Sequence, residues 1–126
     1  MFSFSRMKAV VALTFCLMAS CAAPPRTTQK QLAGEWRYTD KIQSCRYVFK
    51  KDGSFSGDVT YHQKLISKFI GRWSVQDGTL LYNYTSDAFE RIPAGATDRD
   101  KLLVVQRDSF TIEAADGSQR KYSRIR

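Results

Sequence analysis

Three Asp-Gly pairs divide this sequence into short segments in which apolar and polar residues alternate. The pairs are Asp52-Gly53, Asp77-Gly78 and Asp116-Gly117. Alternation with a period of two is typical of antiparallel strands with one buried face. Asp-Gly between two such runs favours a tight hairpin, because both central residues of that turn need a positive φ. The pattern predicts an all-β domain, either an antiparallel up-and-down barrel or a coiled sheet of about eight short strands.

The predicted inward faces of these strands are rich in aromatic side chains. We place the strands at residues 34–38, 45–49, 55–61, 69–75, 80–84, 102–107, 110–114 and 122–124. Their inward aromatic residues are Trp36, Tyr38, Tyr47, Phe49, Phe55, Phe69, Trp73, Tyr82, Tyr84, Phe110 and Tyr122. An eight-stranded barrel is only just wide enough to be filled by side chains, and each buried aromatic residue covers about 150–250 Å². We therefore expect these rings to form the core, with any ligand cavity at one mouth of the barrel.

Residues 86–101 interrupt the alternation. This segment is polar and contains Pro93 and Gly95, and a helical turn over residues 87–91 is one option for it. Long loops in compact domains often carry function, although a simple crossover or closing flap would also fit. We take as candidate ligand-binding or partner-binding residues of this loop Asp87, Phe89, Arg91 and Ile92.

The N-terminal residues have the composition of an export signal. Arg6 and Lys8 precede an apolar run of about ten residues, too short to span a bilayer, and small residues follow. The stretch Met18-Ala19-Ser20-Cys21 resembles the lipobox of bacterial lipoproteins. It predicts a cleaved signal peptide (residues 1–20), a lipidated N-terminus of the palmitate type at Cys21 with a tether (21–31), and one domain (32–126). Cleavage after Ala23 without lipidation, or retention of the segment as an uncleaved anchor, is the alternative.

Several motifs resemble those of small bacterial lipocalin-like domains of the calycin type. Gly34-Glu35-Trp36 is a G-x-W on the first predicted strand, and Arg124 lies on the last. The spacing of Tyr47, Phe49, Asp52-Gly53 and Phe55 is similar to a Y-x-F-x-x-D-G-x-F hairpin of that family, and Gly71-x-Trp73 is similar to its second G-x-W. The resemblance implies that Trp36 closes one end of a barrel, that Arg124 packs across it, and that a small ligand binds at the mouth.

The residues that usually carry catalysis or metal binding are sparse here. The chain has one histidine, His62, which we place on an outward face, and Cys45 has no partner for a disulfide or a zinc site. Acidic residues of the irregular segment alternate with basic ones, so we interpret them as paired surface charge: Asp87, Glu90, Asp98 and Asp100 with Arg91, Arg99 and Lys101. We therefore expect no enzyme activity, no catalytic residues, no cofactor and no metal.

The net charge and the predicted lipid anchor limit the classes of partner that we expect. The full chain has a net charge of +8, spread over the sequence without long runs. Nucleic acid is not an expected partner of an exported, membrane-tethered protein. We expect a lipid-anchored protein of the bacterial cell envelope; in a host with two membranes, Ala22 after the cysteine favours the outer membrane, facing the periplasm. Its barrel would bind a small apolar or amphipathic ligand, or, alternatively, act as a pilotin-like accessory that binds another envelope protein.

Overall fold

The alternating segments form consecutive strands, each hydrogen-bonded to the next. The computed structural model describes residues 29–126. A one-turn helix, α1 (Gln29–Leu32), precedes β1 (Gly34–Thr39), β2 (Gln43–Phe49), β3 (Ser54–Tyr61), β4 (Lys64–Gln76), β5 (Thr79–Asp87), β6 (Thr97–Val105), β7 (Ser109–Glu113) and β8 (Gln119–Arg124). Pairing of β1 with β8, with Trp36 opposite Arg124, closes the barrel. The prediction of an antiparallel up-and-down barrel of about eight strands is confirmed.

The Asp-Gly pairs all lie in turns, but only one forms the predicted two-residue hairpin. Asp77 and Gly78, with φ of 50° and 74°, join β4 to β5. At the other two pairs only the glycine has a positive φ, and each aspartate accepts a hydrogen bond from the amide of the serine two residues on. A further two-residue turn with positive φ at both positions, His62-Gln63, joins β3 to β4 without a glycine.

The irregular segment is shorter than the sequence suggested. β5 continues to Asp87 and β6 begins at Thr97, so only residues 88–96 form a loop, and the helical turn over residues 87–91 is absent. The first half of β6 is polar throughout and shows no apolar alternation. It is a strand because its backbone pairs with β5, from Thr79 opposite Lys101 to Asn83 opposite Thr97.

Aromatic rings fill the middle of the barrel. All the predicted inward aromatic residues are buried except Tyr38, which is half-buried. The Tyr47 ring lies at the centre, with its centroid 5.3–6.3 Å from the centroids of five other rings. Gly71 allows β4 to pass close to Phe55, because a Cβ added at this glycine would lie 2.8 Å from that ring. The rings therefore form the core, as expected, and not a deep ligand cup.

The two ends of the barrel differ. At one end, which we call the mouth, lie the β1–β2, β3–β4 and β7–β8 turns and the loop of residues 88–96. At the other, which we call the closed end, lie α1, the remaining turns and the residues after β8. The signal peptide, Cys21 and most of the predicted tether fall outside the described residues, whereas residues 29–31 belong to α1. Within residues 29–126, no helix is long and apolar enough to cross a membrane.

Candidate functional site

Asp87, the first of the candidate loop residues, organises the loop at the mouth. Its side chain is buried and accepts hydrogen bonds from the Ser67 hydroxyl (2.7 Å) and from the amides of Lys68 (3.1 Å), Phe89 (3.0 Å) and Ile92 (3.2 Å). Burial alone would raise the pKa of this carboxyl, but these hydrogen bonds outweigh it and hold the pKa below its ordinary value. Asp87 is therefore an anchor of the loop and not a ligand-facing residue.

The loop itself is held on both sides. The Tyr84 amide donates to the Ala96 carbonyl (2.8 Å), and the Gly95 amide donates to the Tyr84 carbonyl (2.7 Å). Ile92 packs against the core. Phe89 remains 47% exposed, and Arg91 is also exposed. Of the four candidate residues, the loop thus turns two inward and presents Phe89 and Arg91 to the solvent.

Phe89 and Arg91 line a groove with the β3–β4 hairpin. We call it the rim groove; it has a volume of about 510 Å³ and is lined by Tyr61, His62, Lys64, Leu65, Ile66, Phe89 and Arg91. The His62 amide donates to the Ile42 carbonyl (2.7 Å), which ties the hairpin to the β1–β2 turn. Apolar and basic side chains line the groove, and no carboxylate is among these lining residues.

The sequence pattern does not reveal the hairpin side of the rim groove. His62 is exposed, in agreement with its predicted outward face, and its ring centroid lies 4.5 Å from that of Tyr61. Lys64 and Leu65 lie outside the predicted strands, because β4 begins five residues before the point where its apolar alternation starts. The only available signal was the pair of polar residues, His62-Gln63, between two alternating runs.

Beneath the mouth lies a layer of polar groups. The Tyr82 hydroxyl donates to the Asp100 carboxylate (2.9 Å), and the Arg120 guanidinium lies 5.7 Å from the centroid of the Tyr38 ring. Burial raises the pKa of Asp100, an effect that the Tyr82 hydrogen bond only partly offsets. The expectation of paired surface charge is therefore wrong for Asp87 and Asp100: both are buried and are held by hydrogen bonds rather than by ion pairs.

The closed end brings Trp36 and Arg124 together. The Arg124 Cζ lies 4.2 Å from the centroid of the Trp36 ring. Its three nitrogens donate to the carbonyls of Arg107 (2.7 Å), Ala33 (3.0 Å) and Gln31 (3.2 Å). The indole nitrogen of Trp36 donates to the Leu32 carbonyl (3.0 Å), which seats α1 over this end. One arginine therefore joins the first strand, the last strand and the segment that leads into the barrel.

A comparison with solved structures agrees with this architecture. A lipocalin-like protein from Bacteroides uniformis matches with a TM-score of 0.56 over 75% of this chain and 99% of that protein, at 22% sequence identity. The fold is lipocalin-like. The fold implied by the sequence resemblance is thus confirmed. No family model matches the sequence, and no curated protein sequence matches it either.

The lipocalin-like barrel has a second groove on its outer wall. It spans β4, β5 and β6, has a volume of about 670 Å³, and is lined by Arg72, Ser74, Leu81, Asn83, Thr97 and Arg99 together with the backbone of their neighbours. Like the rim groove, this groove combines apolar with polar and basic side chains.

The remaining groups that could react or bind a metal ion are Cys45 and the acidic residues. Cys45 is 2% exposed, accepts a hydrogen bond from the Tyr122 hydroxyl (3.9 Å), and has its pKa raised to about 11 by burial. Among residues 29–126, no group of three His, Cys, Asp or Glu side chains is placed to hold a metal ion.

Proposed function

We propose that this chain is a lipid-anchored protein of the bacterial cell envelope whose lipocalin-like barrel binds a small amphipathic molecule in the rim groove. The observation that carries the proposal is the lining of that groove. Apolar surface from Leu65, Ile66 and Phe89 lies beside the cations of Lys64 and Arg91. A volume of about 510 Å³ lies within the range of small-molecule sites, roughly 300–1,000 Å³.

The charges of the groove favour an anionic head group. A guanidinium can hold a carboxylate or phosphate with two parallel hydrogen bonds, and an ammonium adds a second positive charge. The apolar tail of such a ligand would cover Phe89 and Leu65, which are 47% and 40% exposed. Burial of apolar surface contributes about 25 cal/mol per Å². Because rings fill the lumen below, the ligand lies across the mouth and does not enter a deep cup.

A set of ligands with one tail and different head groups tests this proposal. The protein is the mature-length chain (residues 21–126) with Cys21→Ser, so that no lipid competes for the groove. We expect laurate to raise the melting temperature more than dodecanol, and dodecyltrimethylammonium to have the least effect. A ligand at a hundredfold excess over its Kd stabilises the folded state by about 2.7 kcal/mol. Preference for the cationic amphiphile would contradict the proposal.

A pair of charge-matched variants locates the site. The double variant Lys64→Gln/Arg91→Gln should bind laurate about tenfold more weakly or worse, since a hydrogen bond to a charged group contributes about 1.5–3 kcal/mol. The double variant Arg99→Gln/Lys101→Gln removes the same charge from the exposed outer wall of β6 and should bind as the parent does. Equal losses in both would show that net charge, and not the rim groove, attracts the ligand.

The anchoring part of the proposal rests on the N-terminal sequence. Mass spectrometry of the native protein should find an acylated Cys21 as its first residue, and Cys21→Ser should yield an unprocessed or soluble form. An unmodified N-terminus at Pro24 would contradict lipidation.

We propose binding rather than catalysis because the rim groove has no carboxylate among its lining residues to act with His62 as an acid–base pair.

The outer-wall groove favours one further candidate, an interaction protein of the envelope. Arg72, Asn83 and Arg99 line it with side chains that would hydrogen-bond a protein partner. Cross-linking in intact envelopes distinguishes the candidates: loss of a cross-linked partner in Arg99→Gln, together with no melting shift by any amphiphile, would place the interaction role first.

A further inference from the structure

The closed end is where the chain enters the barrel. Residues 1–28 precede α1, and α1 is held against this end through the Trp36 and Arg124 hydrogen bonds. Gln29, the first residue of α1, lies eight positions after Cys21, and an extended chain spans at most about 3.6 Å per residue. An anchor at Cys21 would therefore hold the closed end within roughly 30 Å of the bilayer, with the mouth on the far side.

Basic side chains outnumber carboxylates at this end. Its cations are Lys30, Lys50, Lys51, Arg72, Arg107, Arg124 and Arg126. Its carboxylates are Glu35, Asp52, Asp77 and Asp108. Glu35 is already engaged, with Arg46 at 3.1 Å and Arg126 at 3.5 Å. The mouth differs, because Asp40, Glu90, Asp98 and Asp116 balance its lysines and arginines.

Exposed apolar residues accompany the cations of the closed end. Val104 is 51% and Ile125 39% exposed, and both lie where β6 and β8 reach this end. Between α1 and the β6–β7 turn runs a groove of about 400 Å³ lined by Lys30, Arg107 and Val105 with their neighbours. Cations around a small apolar surface are the features that let a protein rest on an anionic membrane interface.

We propose that the closed end is a membrane-docking surface that binds the anionic headgroups of a lipid bilayer. Lys30, Lys51 and Arg107 would lie over the headgroups, and Val104 and Ile125 would enter the interface. Each cation of the protein near an anionic bilayer surface strengthens binding by an energy that corresponds to about a fivefold increase in the partition coefficient. The surface would act together with the lipid anchor, but it does not depend on the rim groove or its ligand.

Vesicle sedimentation tests docking without the anchor. The mature-length chain (residues 21–126) with Cys21→Ser should bind vesicles of phosphatidylcholine mixed with phosphatidylglycerol and should not bind pure phosphatidylcholine. Binding should decline as salt is raised from about 0.1 M toward 1 M, because the screening length falls from about 10 Å to about 3 Å. Absence of binding to the mixed vesicles, or equal binding to both kinds, would overturn the proposal.

Charge-matched triple variants test whether the closed end is responsible. Lys30→Gln/Lys51→Gln/Arg107→Gln should lower the partition coefficient about a hundredfold. The control Lys41→Gln/Lys68→Gln/Lys121→Gln changes the net charge equally at exposed positions away from the closed end and should lower it far less. Unaltered melting temperatures would verify that both variants fold. Equal losses would mean that binding follows total charge, which overturns a defined docking surface.

A fluorophore reports the orientation directly. With Cys21→Ser in place, Cys45 is buried, so a polarity-sensitive label can be attached through Val104→Cys at the closed end or Ile42→Cys at the mouth. Mixed vesicles should shift the emission of the first label to shorter wavelength and leave the second unchanged. A shift at Ile42→Cys alone would place the mouth on the membrane and overturn the proposal.

Discussion

The Arg124 guanidinium lies 4.2 Å from the centroid of the Trp36 ring, and the two residues face each other across the seam between β1 and β8. Few other residue pairs form this seam, whereas longer ladders join most neighbouring strands. Stacking of a guanidinium on an indole contributes about 0.5–2 kcal/mol. The closure of the barrel is therefore concentrated in one contact and its surrounding hydrogen bonds.

Trp36→Ala should lower the free energy of unfolding by about 3–5 kcal/mol, because it removes a fully buried ring that also holds α1. Urea unfolding followed by circular dichroism measures the change. Arg37→Ala, on the exposed face of the same strand, is the matched control and should change stability by about 0.5 kcal/mol or less. A Trp36→Ala protein as stable as the parent would refute the closing role of this residue.

Asp87→Asn should destabilise the protein at neutral pH by about 1–2 kcal/mol, because an amide offers only one acceptor to four donors. The pKa of Asp87 is lowered on folding, so its contribution is complete above the ordinary carboxyl pKa and is lost as pH falls through the lower folded value. Urea titrations at several pH values should therefore show the parent and variant converging in acid. A difference that persists there would refute this account. Asp108→Asn, at an exposed turn, should match the parent throughout.

Asp100→Asn should raise the free energy of unfolding at neutral pH, by about 0.5–1 kcal/mol. Burial raises the pKa of Asp100, so the folded state holds a proton more tightly than the unfolded chain. Stability therefore falls as pH rises from the ordinary carboxyl pKa to the raised one, and the cost remains above it. Asparagine removes that cost while an oxygen still accepts the Tyr82 hydrogen bond. Asp108→Asn, at the exposed β6–β7 turn, is the control, and a less stable Asp100→Asn protein would show that the charge is needed in the mouth.

Cys45 should resist alkylation until the protein unfolds, because it is buried and its pKa is raised to about 11. Mass spectrometry after brief exposure to iodoacetamide, in the Cys21→Ser background, measures the modified fraction. Val104→Cys provides an exposed thiol in the same protein and should react within the same period. Comparable labelling of both thiols in native conditions would contradict the packing of the barrel.

Strands with an apolar inward face could be predicted from the sequence, and those with a polar inward face could not. Buried and less buried residues alternate along β2, so the sequence predicts both the strand and the direction of its side chains. The start of β6 lines the mouth, and the residues on its inward face are Asp98 and Asp100. This segment is recognisable as a strand only from its backbone pairing with β5. The His62-Gln63 turn was hidden for a related reason: positive φ at both positions is rare without glycine.

The candidate site was half predicted. The irregular composition around Phe89 and Arg91 predicts both as candidate residues, but it also predicts Asp87, whose carboxylate is directed into the fold. The opposite wall, Lys64 and Leu65, meets the loop only because β4 extends past the point where its apolar pattern starts. A register shift between Val59 and Thr60 adjusts the pairing of β3 with that extension. Such three-dimensional proximity leaves no periodic trace in the sequence.

The pairing of β1 with β8 also affects how the chain can be completed. Until residues 119–124 are available, the other seven strands form a sheet with two unpaired edges, and exposed edges readily join those of other chains. A chain that is synthesised from its N-terminus supplies β8 after the other seven strands. Pairing of β8, the last of the eight strands, thus converts an open sheet into a barrel without exposed edges, so loss of this strand would promote self-association as well as lower the stability.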